Sequence, residues 1–541
     1  MALPIECGLF GICTQSLTKS ETYDGNNIQL IYKCMSKLQH RGQDSYGYSL
    51  IYNVSPNIVA TTTSHQQGLV NLEDMSKDFD WLNQKEDFSM IGHLRYVTSG
   101  KSSKDDKDNI QPFRGRIWKS EKKLDNSFAY FYDFDIAHNG NIKNTHSLHD
   151  ILLQLKPNIP LDELTKLKER NHDTYYLMKI MESLPGTYNL LKPEQTTEYY
   201  QADLEQRLTQ LINLVPGVYC LLIHFKGMIY AVRDRYGVRP LCLGTVNING
   251  KTQYMAASES VAFPANSVLV RDVNPGEIVK ITPEGFTTVY QMKPKDVILK
   301  HCLFEYVYFL RPETKANGLK VSDIRNTYGK LLAEKEINTL NQNIAIDEYP
   351  IIDEPKNICI LHPVNYEKKD EYVVVGSPSS GIVSGEGYAE RMGLQYKQII
   401  LKQKKIRSFI LSNDAARRKA CYEKFKFDKE EIEGKKIILV DDSLVRGNTA
   451  RIMIQILKEL GAIEIHLRIA SPPIKHACYF GIDIPDNKEL IAVQHNLHSV
   501  TCILGADSLV YLDLSDIKNT HGDKICHGCF SGEYDKGLMD W

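Results

Sequence analysis

No run of apolar residues in this 541-residue chain approaches the ~20 that a membrane helix needs. Charge of one sign is not in excess either. Lys+Arg number 65 against 67 Asp+Glu, for a formal net charge of −2. That balance gives no electrostatic reason to expect nucleic acid or an anionic membrane as partner. The opening MALPIECGLFG lacks a basic n-region and a cleavable apolar h-region. A secretory signal is therefore not expected, and the setting is read as cytoplasmic and reducing. No internal repeat is visible. Twelve cysteines in such a setting do not read as a disulfide framework. Those with specific tasks should be nucleophiles or metal ligands. What is present is ordinary for a folded protein, 42% hydrophobic and 24% charged, in a chain too long for one core. Two large domains are expected.

Residues 7 to about 290 read as strand-rich. CGLFGIC, GVYCLLIHF and GMIYAVRDRYGVRPLCLG carry β-branched and aromatic residues, with a Lys226-Gly227 turn between two of them. Asn274-Pro275-Gly276 and Pro283-Glu284-Gly285 punctuate further short strands. The polar insertion Lys101–Asp108 reads as solvated surface. Helical spacing is clearest over Asn27–Leu38 and Thr174–Leu184. The second half changes character. Tyr372–Val375 and Ile437–Val440 are apolar strand cores, each running into a loop rich in Gly and Ser. Met453, Ile456, Leu457 and Leu460 mark one face of a helix that Gly461 can end, and Ile463–Ile469 reads as the next strand. Strand, loop, helix, strand is the grammar of a parallel sheet with ligand loops at the carboxyl ends of its strands.

Cys7 opens Cys-Gly-Leu-Phe-Gly, which alone is only a small residue starting a strand. It is followed in order by His40-Arg-Gly-Gln-Asp-Ser45, Gly92-His-Leu-Arg-Tyr96 and His138-Asn-Gly-Asn141. Together these resemble the class II glutamine amidotransferases. The resemblance implies an N-terminal-nucleophile domain, a four-layer αββα sandwich in which two antiparallel sheets lie between helices. The chemistry accounts for the residue types. With residues 1–6 removed as a leader, Cys7 would carry a thiol and a free α-amine. The amine, with an ordinary pKa of about 7.7–8.0, can act as base for the thiol. Attack on the glutamine side-chain amide creates an oxyanion, for which the Asn139 side chain and the Gly140 backbone N–H are suitable donors. Asn-Gly is equally a common hairpin turn signal. Arg95 would grip the substrate α-carboxylate in a bidentate fork. Asp173 matches the family position for the substrate ammonium, and alone would read as a helix N-cap.

The acceptor is indicated by Ile437-Ile-Leu-Val-Asp-Asp-Ser-Leu-Val-Arg-Gly-Asn-Thr449, which resembles the phosphoribosylpyrophosphate (PRPP) loop of type I phosphoribosyltransferases. Asp441 and Asp442 at a strand end can hold ribose hydroxyls and the shell of a Mg²⁺ ion. Ser443, Arg446, Gly447, Asn448 and Thr449 then lead to a helix N-terminus suited to a 5′-phosphate. Cys302–Pro312, Ser471-Pro-Pro-Ile474 and Cys478–Asp483 look like the amidophosphoribosyltransferases. That resemblance implies a parallel-sheet α/β domain behind the sandwich. Its reaction would convert PRPP, glutamine and water to 5-phosphoribosylamine, glutamate and pyrophosphate, the first step of de novo purine synthesis. It also implies a homo-oligomer, dimer or tetramer, inhibited by purine nucleotides. The expected divisions are a domain over 7–290, a second over 291–515 and a tail over 516–541.

Departures from the family pattern cluster at the second site. Pro378-Ser379-Ser380-Gly381 lacks the usual acid, although Ser380 keeps the position associated with Mg²⁺. The loop Lys402–Ile410 is altered and one residue short, yet Lys404, Lys405 and Arg407 keep positive charge for pyrophosphate. Arg417, Arg418 and Lys424 keep the next basic stretch, and Asn448 replaces a usual Thr. The alternative reading is a divergent paralogue with a weakened transferase site, acting as a glutaminase or regulatory subunit. An asparagine synthetase would need a Ser-Gly-Gly-x-Asp-Ser loop, and the second half has none.

Cys526-His-Gly-Cys529 could be a zinc half-site or a redox pair on its own. Cys302 and Cys478 stand where iron–sulfur members of the family place their other two ligands. Four thiolates suit either Zn²⁺ or a [4Fe–4S] cluster, and spacing does not separate them. The resemblance favours the cluster, in a structural role and with oxygen sensitivity. Cys13, Cys34, Cys220, Cys242, Cys359, Cys421 and Cys502 read as packing residues.

Overall fold

The computed structural model describes residues 7–17, 25–55, 58–96, 107–120, 129–155, 159, 164–165, 167–168, 172–186, 197–341, 364, 366–403, 421–482, 484 and 487–539. The first half is built on two antiparallel sheets. Seven strands form one, in the order Val268–Asp272, Cys242–Ile248, Lys251–Ala257, Gly8–Cys13, Phe88–Arg95, Ser45–Ser55, Ile58–Gln67. Six form the other, in the order Gly285–Gln291, Glu277–Thr282, Met228–Arg233, Val218–Phe225, Ala129–Asn141, Phe113–Ser120.

Alternation along each strand creates the layers, because successive side chains point to opposite faces. In Gly8–Cys13, Leu9 and Cys13 join Ile91, Leu222, Ile229 and Ala231 in a core between the sheets. Phe10 and Ile12 point the other way, onto Ile28, Ile31 and Met35 of the helix Asn27–Lys37. On the far side, Tyr219, Leu221 and Ile223 bury against the helices Thr145–Gln154, Asp173–Ser183 and Thr197–Leu214. The result is helices, sheet, sheet, helices: the expected αββα sandwich. The Lys226-Gly227 turn joins its two strands as expected. The last strand runs to Gln291, one residue past the anticipated boundary. Of the insertion read as solvated surface, residues 101–106 lie outside the described residues, and a short 3₁₀ turn covers Lys107–Asn109.

The second half carries a five-stranded parallel sheet, ordered Gln395–Tyr396, Tyr372–Gly376, Lys436–Asp441, Glu464–Ile469, Ser508–Tyr511. Both faces are covered, which is why its strands are continuous apolar runs. Val374, Ile438 and Val440 face the helices Val321–Asn341 and Ile382–Met392. Val373, Val375, Ile437 and Leu439 face Asn448–Glu459 and Leu497–Leu504. The helix expected from Met453, Ile456 and Leu457 is present, and its chain reverses at Gly461. One core cluster joins the halves, packing Val218, Tyr236 and Val238 with Leu303, Phe304 and Val307. No helix among the described residues is long and apolar enough to cross a membrane.

Candidate active sites

The first site assembles from three separate segments. Gly8 pairs with Leu94, so Arg95, at the end of Phe88–Arg95, stands beside Cys7. Burial pushes the Cys7 thiol above its ordinary value. The Tyr96 backbone N–H and the Arg95 guanidinium oppose that rise, while Asp173 and Asp44 add to it. Cys7, Arg95 and Asp173 are thus within one electrostatic neighbourhood.

Asp173 is the first residue of Asp173–Ser183, with His172 as its N-cap. Its carboxylate accepts from the Thr174 N–H at 2.7 Å and from the Ile142 N–H at 3.1 Å. The second bond ties it to the end of the strand bearing Asn139 and Gly140. Thr174 Oγ1 lies 2.9 Å from His138 Nδ1 and accepts from Gln111 Nε2 at 3.0 Å. Gln111 Oε1 accepts from the His138 N–H at 2.7 Å. Gln111 and Thr174 were not singled out from the sequence, because neither belongs to a motif that marks chemistry by itself.

Asn139-Gly140 sits inside the strand Ala129–Asn141 and not in a hairpin turn. The turn reading of this dipeptide is therefore corrected: paired strands flank it. Asn139 Nδ2 donates to Ser258 Oγ at 3.4 Å, a long bond that leaves this donor available to a better acceptor. Gly140 has φ +155°, and an added Cβ would fall 2.1 Å from the Val218 carbonyl oxygen. Gly140→Ala should therefore displace the strand and lower kcat for glutamine hydrolysis by about 10²-fold, the scale of losing one oxyanion donor. Steady-state glutamate release, beside a thermal melt to exclude unfolding, measures it.

The second site is a cleft at the carboxyl ends of the parallel strands. Asp441 ends its strand, and Asp442, Ser443, Arg446, Gly447, Asn448 and Thr449 line the loop into the helix Asn448–Glu459. Ser380 also lines it, and its hydroxyl donates to Asp442 Oδ1. Ser443 Oγ donates to Asp442 Oδ2 at 2.8 Å. Burial first, then the neighbouring Asp442, pushes the Asp441 carboxyl well above its ordinary range. Two carboxylates forced together in this way are what a bound cation would relieve. Arg446 is engaged with Glu489, Nε to Oε2 at 2.7 Å. Tyr308, Ser377 and Lys424 are also among the lining residues. Tyr308 lies in the Cys302–Pro312 motif, whose other residues do not reveal that it faces the cleft. Lys404 and Arg407, with Lys405, Arg417 and Arg418, lie outside the described residues.

The four tail and core thiols also gather. Cys302 and Cys526 are direct partners in a short parallel pairing. Lys475 and His476 both donate backbone N–H to the Cys529 carbonyl, which brings the tail to the segment carrying Cys478. Burial pushes Cys302 up to about 11 and Cys526 to about 12. Cys529 rises well above its ordinary value, through burial and then through Cys478, Cys302 and Cys526. Among the described residues no three His, Cys, Asp or Glu side chains stand in ion-binding geometry. The donor chemistry of Cys302, Cys526 and Cys529, each raised in part by neighbouring thiols, with Cys478 beside them, nevertheless fits a thiolate-bound metal centre. Cys13, Cys34, Cys220, Cys242 and Cys421 are buried as packing residues, Cys502 is half-buried, and Cys359 lies outside the described residues.

No family model matches the chain. It is 31% identical to an amidophosphoribosyltransferase of Methanothermobacter thermautotrophicus, over 98% of this chain and 94% of that one. It is 30% identical to an amidophosphoribosyltransferase of Mycobacterium leprae, over 98% of this chain and 82% of that one. The fold superposes, with a TM-score of 0.69 and 27% identity, on a B. subtilis glutamine PRPP amidotransferase solved with ADP and GMP. That match covers 98% of this chain and 97% of the other.

Proposed function

The chain belongs to the amidophosphoribosyltransferases, and on that premise we propose which of its residues carry the two half-reactions. The enzyme makes 5-phosphoribosylamine, glutamate and pyrophosphate from PRPP, glutamine and water, the first step of purine biosynthesis. Cys7 is the nucleophile, in a chain that begins at Cys7 after loss of residues 1–6. Its α-amine takes the thiol proton as sulfur attacks the glutamine amide carbon. The same proton passes to the departing ammonia as the thioester forms, and water then releases glutamate. Arg95 holds the substrate α-carboxylate, Asp173 its ammonium, and Asn139 with the Gly140 N–H the oxyanion. The convergence of Cys7, Arg95 and Asp173 from three distant segments carries this reading. A glutamine-analogue electrophile should add its mass to Cys7 alone, and excess glutamine should block it. Labelling elsewhere would contradict the assignment.

Ammonia then attacks C1 of PRPP and pyrophosphate leaves. Asp441 and Asp442 hold the ribose hydroxyls, and the Ser443–Thr449 loop receives the 5′-phosphate at the helix N-terminus. Arg446, paired with Glu489, and Lys424 both line the cleft and supply positive charge to it. Lys404 and Arg407 are assigned to pyrophosphate. Ser380, Asp441 and Asp442 would hold Mg²⁺, which would neutralise pyrophosphate charge as it departs. Free ammonia would be protonated in bulk water, so transfer between the sites is enclosed when both are filled. Purine nucleotides are proposed as inhibitors, in a cytoplasmic homo-oligomer.

Cys302, Cys478, Cys526 and Cys529 would hold a [4Fe–4S] cluster, which would tie residues 516–541 onto the second domain. Zinc is the other metal the donors suit. Anaerobically purified protein should contain on the order of four irons per chain, falling to background in Cys526→Ser. Stoichiometric zinc in place of iron would replace the cluster assignment.

A further inference from the structure

Beneath the first site lies a buried ion network that the reaction chemistry does not use. Arg41 is fully buried, and its guanidinium reaches two carboxylates. Its Nε donates to Glu259 Oε1, and its Nη2 donates to Glu305 Oε2 at 2.6 Å. Glu259 is also fully buried. It receives His40 Nε2 at 2.6 Å, the Arg311 N–H at 2.8 Å and the Thr314 hydroxyl at 2.8 Å. Arg239 Nη1 lies 3.7 Å from Glu305 Oε1, so Glu305 sits between two arginines.

The neighbours of this network are the elements that hold the glutamine site. Arg41 is followed by Gly42, which packs so closely that an added Cβ would lie 2.5 Å from the Leu94 carbonyl carbon and 2.7 Å from the Arg95 nitrogen. Asp44 N–H then donates to the Arg95 carbonyl at 3.1 Å. Glu259 is preceded by Ser258, whose hydroxyl meets Asn139 Nδ2 and accepts the Leu9 N–H at 3.0 Å. One ion network therefore stands directly behind both Arg95 and Asn139. Glu305, in contrast, belongs to the helical turn Glu305–Phe309 beyond the last strand of the first domain. Three residues further, Tyr308 lines the phosphoribosyl cleft.

We propose that Glu305 is a positioning residue for glutamine hydrolysis, contributed by the second domain and acting through Arg41 on Arg95 and Asn139. This inference rests on the assignment of Arg95 and Asn139 above. A buried ion pair is weak evidence for stability, since well-packed apolar residues often serve as well. What such a pair supplies here is fixed geometry. It sets the Arg41–Gly42 backbone against the Arg95 strand end only when the second domain is docked. The glutamine site is thus incomplete within residues 7–290.

The test compares glutamine-dependent with ammonia-dependent phosphoribosylamine synthesis in the full-length enzyme. Glu305→Gln should lower kcat/KM for glutamine by about 100-fold, the scale of a 1 Å misplacement of catalytic groups. Both KM and kcat should move, because Arg95 binds and Asn139 stabilises. Synthesis from added ammonium should stay within about twofold of the parent. Glu305→Asp, which keeps the charge, should recover part of the loss. Because Glu305→Gln leaves a buried guanidinium less compensated, Arg41→Met/Glu305→Met provides a second variant that removes both charges. It should fold and remain as slow with glutamine. Parental glutamine kinetics in either the Gln or the double variant would overturn the proposal. So would equal losses with glutamine and with ammonium, which mark a general folding defect. Cys7→Ala is run beside them: if it still hydrolyses glutamine, the site assignment itself fails and not only this inference.

Discussion

Cys7→Ala is expected to abolish glutamine-dependent synthesis, a loss of about 10⁴-fold or more, while leaving synthesis from added ammonium intact. The size follows from covalent catalysis: with no sulfur to form the thioester, only binding and oxyanion contacts remain. The selectivity follows from the architecture. Cys7 precedes a strand in the first sheet, and the described residues that line the phosphoribosyl cleft all come from the second domain, Tyr308 included. The alanine side chain fits wherever the thiol does, so folding should be unaffected. Burial also raises the Cys7 thiol, which makes a neighbouring base necessary at neutral pH. The base proposed above is the α-amine, so the mass of the active enzyme should correspond to a chain starting at Cys7. An active enzyme retaining residues 1–6 would remove the base from the mechanism. Ammonium-dependent and glutamine-dependent rates falling together in Cys7→Ala would contradict the division of labour.

Asp441→Asn carries the second large effect. The substitution keeps the shape and removes one of the two acids at the strand end. PRPP turnover should drop by about 10²–10³-fold, the range seen when one preorganised charged contact to a developing transition state is lost. Basal glutamine hydrolysis should persist without responding to PRPP. Stability should move the other way. The Asp441 carboxyl is held above its ordinary value by burial and by Asp442, so the folded protein keeps its proton to higher pH than the unfolded chain does. Its contribution is therefore favourable at low pH and is lost as pH rises from the unfolded value of about 3.9 through the raised folded value. Asp441→Asn should raise the melting temperature at pH 7.5 in the absence of Mg²⁺, and the gain should vanish near pH 4. A variant less stable at pH 7.5 would mean that Asp441 is held by favourable partners and not by strain.

The sheets were legible in the sequence because their side chains obey a two-residue period, as in Gly8–Cys13, or run unbroken where both faces are covered, as in Ile437–Val440. The helix Thr197–Leu214 was not, since its buried apolar residues Leu204, Leu208, Leu211 and Ile212 are interspersed with polar ones and stand beside no motif. Asn139-Gly140 shows the limit of local signals: the dipeptide favours a turn, and strand pairing with Val218–Cys220 overrides it. Cys7, Arg95 and Asp173 could be found from motif order, but their approach to one another is a property of the strand register. Arg41 and Glu305 lie in two of the motifs, but nothing in the sequence pairs them with each other or with Glu259. Buried acids look like surface acids in a sequence, and these two lie 218 and 264 residues from their arginine.

The most direct test of the account is glutamate release from glutamine, with and without PRPP and Mg²⁺, on anaerobically purified protein. Two coupled sites predict strong stimulation by PRPP, despite Ser379, Asn448 and the altered 402–410 loop. Equal release with and without PRPP would contradict the coupling, and would describe a working glutaminase beside a silent transferase domain.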